Sequence, residues 1–400
     1  MLLTNCWLAD RGGTELYVRD LALGLLRAGH HPAVWSPIVG EVAADLRSAG
    51  VPVFDDLASV APTPDIVHCQ HGDETRAALS RFPDVPGVYV QHDAEAWQDQ
   101  APPHPRLLRW AAVDELCRER LLAGGVDPHR ITVVANSVDL ERFSRRTPLP
   151  AQPRRALLFA NTASEETYLP VVREACAKAS LDLDIAGLGV GAVARRPEAL
   201  LGRYDVVFGK GRAALEALAV GCAVVVLDQR GIAGMVTSDR LPEWRRWNLG
   251  RRLLTGNHDA VRLVEELGRY DPVDAARCTD VVRAGSGLDA MVASLVSIYS
   301  DALDEWRGCG PPDSRTELST AAAQLATIGP LRLDVSLRDA QIAALEAEVV
   351  RVTADAAAAR AALDDILGGR TMRWRNAVLQ GPFGRLIPAS DRKRDKIRGT

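Results

Sequence analysis

The sequence predicts an α/β protein in which two doubly wound parallel sheets follow one another and a heptad helix and a basic tail come after them. Three observations carry this. Short apolar runs alternate with amphipathic helical segments over residues 1–307. Pro148, Pro150 and Pro153 interrupt the alternation once. After Gly308 the apolar spacing changes to threes and fours, and then the composition turns basic. Strands separated by helices build a parallel sheet covered on both faces.

Within residues 1–148, Leu2–Leu8 reads as the first strand and Asp10–Thr14 as a polar glycine loop. Glu15–Ala28 is a helix with its apolar face on Leu16, Leu21, Leu25 and Leu26, stopped by Gly29. Pro32–Ile38, Val51–Phe54, Asp65–Cys69, Gly87–Gln91 and Ile131–Ala135 read as buried strands. Glu41–Ala49 and Trp110–Ala123 read as helices, the second ended by Gly124 and Gly125. Residues 154–307 repeat the scheme. Strands are expected at Ala156–Ala160, Leu183–Ala186, Asp205–Phe208 and Ala223–Leu227, and helices at Tyr168–Ala179 and Arg212–Val220. A long helix, Asp289–Trp306, is expected to close this second domain. Two successive Rossmann-like domains of this kind face a cleft, and ligands sit at the carboxyl ends of their strands.

Residues 308–330 read as a linker, beginning with Gly308–Ser314. In residues 331–368, Ile342, Leu345, Val349, Val352, Ala356, Ala359, Leu363 and Ile366 alternate spacings of three and four. Val335 extends the series backwards past Arg338, and Asp355 and Arg360 sit where parallel partners can pair. This is a coiled-coil seam that predicts a homodimer through residues 335–366. The other reading is a lone alanine-rich helix packed on its own protein. Alanine at two consecutive seam positions predicts weak association. Residues 369–400 carry Arg370, Arg373, Arg375, Arg385, Arg392, Lys393, Arg394, Lys396 and Arg398 against Asp391 and Asp395. Interleaved Met372, Trp374, Val378, Leu379, Phe383, Leu386 and Ile387 suit an anionic membrane surface along residues 370–398, each basic residue contributing ~1 kcal/mol. A disordered basic tail and a nucleic-acid contact are the competing readings.

A length of 400 residues exceeds one compact core, and a net charge of −4 argues against wholesale nucleic-acid binding. Seven scattered cysteines without a C-x-x-C pair predict reduced thiols. The first residues, Met-Leu-Leu-Thr-Asn-Cys-Trp-Leu, lack a basic lead and a cleavage site, so they read as a strand and not as a signal peptide. No uncharged apolar run reaches the length of a membrane span. The expectation is a soluble, cytoplasmic protein.

Val206–Val226 compresses strand, glycine turn, helix, turn and strand into one stretch. Gly209 and Gly211 let backbone approach a ligand, and the helix that follows begins with unpaired N–H groups. Lys210 and Arg212 add positive charge, and Glu216 lies in the first turns of the helix. A phosphate bearing a hydroxylated sugar uses all of these. The plainer reading is an ordinary turn with solvated charges. His68, His71 and His92 raise the question of zinc, but positions 68 and 71 of one strand point to opposite faces, so no metal site is expected. Asp93 either orients His92 or caps its loop. Glu15 and Asp20 read as helix surface, and Asn136 and Asp139 as fixing the turn that leaves the first domain. The Gly187–Gly191 loop lacks the acidic partner of a dinucleotide site. Trp244, Arg245, Arg246, Trp247 and Asn248 form an aromatic and basic segment near the cleft, read as packing, with acceptor contact as the other option.

Five of these stretches, in order, resemble the glycosyltransferase family 4 enzymes of GT-B fold. They are Asp10-Arg-Gly-Gly-Thr-Glu15, Pro64-Asp-Ile-Val-His-Cys-Gln-His71, Val88-Tyr-Val-Gln-His-Asp93, Val133-Val-Ala-Asn-Ser-Val-Asp-Leu-Glu-Arg-Phe143 and Asp205–Val226. The resemblance covers residues 1–305. It implies that Gly12 and Gly13 approach the donor diphosphate or the acceptor, that His92 and Asp93 stand at the reacting centre, and that Glu216 binds the donor ribose. Gly209, Lys210, Gly211 and Arg212 complete the implied donor site. It further implies retaining, metal-independent transfer from a nucleotide-diphosphate sugar, a co-substrate, with no other cofactor. The basic tail suggests acceptors at a membrane, a growing polysaccharide or lipid-linked glycan in cell-surface polysaccharide or glycan assembly, with the cytoplasmic protein peripheral on the inner face of the plasma membrane. Two departures stand out. Phe208 occupies the position of the family's first glutamate. Leu158–Tyr168 lacks the arginine and lysine that usually neutralise the diphosphate, so Lys210 and Arg212 are expected to take over that charge. A degenerate GT-B scaffold protein and a sugar-nucleotide epimerase are the alternative functions.

Overall fold

The computed structural model describes residues 1–326 and 328–368, together with Trp374 and Ala377. The first domain alternates β1 (Leu2–Thr4), α1 (Gly13–Arg27), β2 (Ala33–Trp35), α2 (Glu41–Ser48), β3 (Val53–Phe54), β4 (Val67–Cys69), α3 (Gly72–Arg81), β5 (Gly87–Gln91), β6 (Leu107–Ala112), α4 (Glu115–Ala123) and β7 (Ile131–Val133). The strands pair in the order β3-β2-β1-β4-β5-β6-β7, all parallel. Leu2, Leu3, Val34, Val67 and Val88 are fully buried, so the central strands read as apolar runs and not as alternations. The strand order reverses between β1 and β4, the position at which doubly wound sheets take their ligands.

Residues 110–123, read as one helix, divide into the end of β6 and α4. The six residues of β6 are largely buried and carry no two-residue alternation. The break falls at Asp114, whose carboxylate accepts the Cys117 N–H at 2.7 Å and so starts α4. Helix α3 was not foreseen. It begins directly after His71, whose φ of 62° turns the chain out of β4.

The second domain consists of β8 (Arg155–Phe159), α5 (Leu169–Lys178), β9 (Asp182–Ala186), α6 (Pro197–Leu201), β10 (Val206–Gly209), α7 (Gly211–Val220), β11 (Ala223–Asp228), β12 (Gly231–Met235), α8 (Leu241–Arg246), α9 (Ala260–Leu267) and α10 (Pro272–Gly285). Its order is β12-β11-β10-β8-β9, with β12 alone antiparallel. Here the reversal lies between β8 and β10. The unforeseen β12 returns beside β11 through a two-residue turn, in which the Asp228 carboxylate accepts the Arg230 N–H at 2.7 Å.

The long helix α11 (Leu288–Cys309) does not close the second domain as expected. The chain crosses back at Val138, which bridges Gly287 and exchanges backbone hydrogen bonds with Ser286 and Leu288 at 2.8 and 2.9 Å. From there Met291, Val292, Leu295, Ile298, Tyr299 and Ala302 join the core of the first domain. Burying each large apolar side chain is worth ~1.5–3 kcal/mol. Gly24 on α1 makes room for this contact, since a Cβ there would lie 2.7 Å from Val292. Helix α12 (Ser314–Ala326) fills most of the segment read as a linker, and Glu317 on it pairs with the buried Arg106 at 2.5 Å. Residues 1–320 form one compact unit and the residues after them a second. The second unit contains α13 (Ile328–Gly368), a 41-residue helix that carries the heptad seam. Apart from Trp374 and Ala377, the basic tail lies outside the described residues. Among the described residues no helix is long and apolar enough to cross a membrane.

Candidate active site

The carboxyl ends of the two sheets face each other. Arg195, after β9, lies 3.6 Å from Glu41 at the start of α2. Arg230, in the β11–β12 turn, lies 3.5 Å from Glu95 in the loop after β5, and Arg251 pairs with the same carboxylate. Exposed pairs of this kind are worth at most ~1 kcal/mol, so they record the apposition without enforcing it.

On the second domain, β10 ends at Gly209, where a Cβ would stand 3.0 Å from the Phe159 carbonyl. Lys210 is extended, Gly211 takes a φ of 53°, and α7 begins. Phe208 is 0 % exposed and belongs to the core with Leu158 and Val225, so at this position the chain offers the cleft no carboxylate. The Lys210 ammonium pairs with Asp228. The Arg212 Nε donates to Glu216 Oε1 at 2.7 Å, and its Nη2 donates to Asp20 of α1. Asp20 also receives Arg142 Nη2 at 3.0 Å and Arg19 Nε and Nη2 at 2.9 and 2.7 Å. Asp20, read as helix surface, is therefore 5 % exposed and joins the two domains. Glu15, read likewise, is also buried.

Burial alone would raise the Asp20 carboxyl, but Arg212, Arg19 and Arg142 together outweigh it and hold the group at about 2. Glu216, 3 % exposed, is shifted the other way: burial raises it more than Arg212 lowers it. The structure thus brings Arg212 and Glu216 together and adds Asp20, a partner the sequence did not reveal, while Lys210 is seated on a different carboxylate. The first N–H of α7 is also engaged, with Gly211 donating to the Leu249 carbonyl at 2.9 Å.

On the first domain, Gly12 precedes α1 and Gly13 opens it, with nothing within 4 Å of a Cβ built at Gly13. His92 follows β5 and meets Tyr17 edge-on, with ring centroids 4.4 Å apart. Burial, followed by His71 and His68, pushes its pKa well below the ordinary value, so the ring is neutral. Its Nε2 is enclosed and has no hydrogen-bond partner among the described residues. Asp93 caps the loop, accepting the Glu95 and Ala96 N–H groups at 2.7 Å. The other two histidines go to separate partners. His68 meets the Tyr299 hydroxyl at 2.6 Å, and His71 accepts the Cys6 N–H at 3.1 Å and lies 3.5 Å from Asp99. No group of three or more metal-ligating side chains occurs among the described residues. Asp139 fixes the exit turn by accepting the Glu141 and Arg142 N–H groups at 3.2 Å.

Two doubly wound domains with facing carboxyl ends, joined by a helix that crosses back, define a GT-B protein. Residues 11–142 match the family model Glycosyltransferase Family 4, in agreement with the resemblance carried by the motifs. A glycosyltransferase from Rickettsia africae ESF-5 superposes with a TM-score of 0.56 at 14% identity, over 76% of this chain and 98% of that one. Anabaena HepE, in complex with UDP and glucose, gives 0.54 at 15% identity over 75% and 98%. Sucrose-phosphate synthase from Thermosynechococcus elongatus gives 0.50 at 13% identity over 76% and 99%. At these identities the likeness is one of fold. No curated protein matches the sequence.

Proposed function

We propose that this protein is a glycosyltransferase that moves a sugar from a nucleotide-diphosphate donor to a hydroxyl acceptor, with retention of configuration and without a metal ion. The observation that carries the reading is the placement of Glu216 midway along α7, tied through Arg212 to Asp20 of the opposite domain. A carboxylate there is positioned to accept hydroxyls of a donor ribose, each charge-assisted bond contributing ~1.5–3 kcal/mol. The neutral His92 of the first domain suits contact with a sugar hydroxyl, because its enclosed Nε2 lacks a partner among the described residues. The UDP held by HepE, a protein of the same fold, supports a nucleotide donor. Transfer assays with a panel of labelled sugar nucleotides and membrane-derived acceptors test the reading. It fails if the protein neither transfers nor hydrolyses any of them.

A second reading, a GT-B binding protein without transfer, is favoured by Phe208, which removes one donor carboxylate from the site. Donor-induced thermal stabilisation without turnover would select it. Glycan or lipid-linked acceptors at the inner face of the plasma membrane, and dimerisation through α13, complete the proposal. The exposure of Leu345, Val349 and Val352 along the seam supports the dimer.

A further inference from the structure

Of the cations read as diphosphate ligands, Arg212 is held by Asp20 and Glu216 and Lys210 by Asp228. Arg245, at the end of α8, has no such partner among the described residues. Its Nη2 donates to the Asn136 carbonyl of the first domain at 3.0 Å, while its Nη1 is enclosed and without a hydrogen-bond partner among the described residues. Among the described residues no carboxylate acts on the guanidinium, and burial draws its pKa down to about 10. A largely desolvated cation with only a backbone carbonyl for company is costly unless an anion joins it.

Three residues on, Asn248 is 8 % exposed, and its side-chain oxygen is enclosed without a donor among the described residues. Asn248 and Leu249 are consecutive non-glycine residues at φ of 53° and 50°, a costly backbone that recurs at ligand sites. The segment is fixed from both sides. The Asn248 N–H donates to the Arg245 carbonyl at 3.0 Å, and the Leu249 carbonyl accepts the Gly211 N–H at 2.9 Å. This sets the pair directly against the start of α7.

We propose that Arg245 and Asn248 hold the donor, the guanidinium taking the diphosphate and the amide oxygen taking a sugar hydroxyl beside it. The assignment rests on the transferase reading for the identity of the donor, and it replaces Lys210 and Arg212 as the source of unneutralised positive charge. A guanidinium lacking an anion and an amide oxygen lacking a donor are together the complement of a phosphate that carries a hydroxylated sugar. Arg245 also reaches Asn136 across the cleft, so ligation by its free Nη1 would couple donor binding to the apposition of the domains.

Titration calorimetry on the full chain with inorganic pyrophosphate, with UDP, ADP and GDP, and with the matching nucleosides tests the site. The wild type is expected to bind pyrophosphate and one diphosphate at least tenfold more tightly than its nucleoside. Arg245→Gln should lose at least tenfold for both phosphates while nucleoside affinity stays unchanged, a selectivity that a merely structural role would not produce. Arg245→Lys should recover only part of the loss, because an ammonium lacks the planar fork. If Arg245→Gln does not fold, Arg245→Lys carries the phosphate test, expected to weaken the diphosphate more than the nucleoside, and Asn248→Ala is expected to weaken a nucleotide sugar while its pyrophosphate affinity stays unchanged. Variants that bind every phosphate as the wild type does, or a wild type that does not bind pyrophosphate, overturn the inference. Unchanged KM for a nucleotide sugar in Arg245→Gln sinks this site alone. Loss of diphosphate binding in Arg245→Gln, with no transfer by the wild type, sinks the transferase reading alone.

Discussion

Asp20 receives four N–H···O contacts from Arg19, Arg142 and Arg212, and removing its charge would leave three guanidinium groups facing one another with only Glu216 among them. Breaking a buried pair from one side costs ~3–5 kcal/mol. Asp20→Asn is therefore expected to lower the urea midpoint by that equivalent, and an unchanged midpoint would show that the network is not closed in solution. The same carboxyl sets an acid limit. Its folded pKa of about 2 lies below the usual carboxylate value, so its contribution is fully present above about pH 4 and is lost as pH falls through 2. None of this is legible from composition or spacing. Lys210 and Arg212 stand out in the sequence as cations beside glycines, but the Lys210 carboxylate comes from β11, and Arg212 adds to Glu216 of its own helix a carboxylate from the opposite domain. Asp20, in a helix whose apolar face alone announces itself, looks like surface until the second domain is brought against it.

At the scale of elements, the buried bond between His68 of β4 and Tyr299 of α11 joins the crossing helix to the first sheet. Tyr299→Phe leaves a buried ring nitrogen unpaired, so a loss of ~1–3 kcal/mol is expected in chemical unfolding. No loss would mean that α11 does not dock there. Burial holds His68 at about 3. Below pH 6.5 the unfolded chain takes up a proton that the folded ring refuses, so stability falls by ~1.4 kcal/mol per pH unit until about pH 3. Asp99, raised to about 7 by burial and then by Asp93, works in the opposite direction, since its folded form holds a proton that the unfolded chain releases above about pH 4. Comparison with His68→Gln isolates the histidine: the difference in unfolding free energy should shift steadily against the wild type as pH drops from 6.5 to 4. A constant difference would place the ring in water. The elements themselves were legible where one signal dominated, as in β5, whose predicted bounds agree with the structure, and in α7, ended by Gly221. They were not legible where burial on both faces removes periodicity, as in β6. The docking of α11 was equally hidden, because an amphipathic helix shows that it has a buried face but not which domain covers it.

At the scale of the whole molecule, α13 carries an apolar stripe at the spacing of a coiled coil. Ile342, Leu345, Val349, Val352, Leu363 and Ile366 all remain exposed along it. A helix of 41 residues is stable in water chiefly through tertiary or quaternary burial, and a seam spaced at threes and fours fits a second copy of the same helix. The alanines at 356 and 359 contribute little apolar area, which sets the expectation of a weak dimer that dissociates in the micromolar range. Sedimentation of the full chain across a concentration series should therefore show a monomer–dimer equilibrium. Leu345→Glu combined with Val352→Glu should shift it to monomer, because each seam position would then oppose two like charges. The substitutions lie in the second compact unit, so nucleotide binding by residues 1–320 should be unaffected. A double variant that still dimerises would move the contact elsewhere. One that is monomeric and has also lost nucleotide binding would mean that the active site depends on its partner, and association would then govern turnover as well as location.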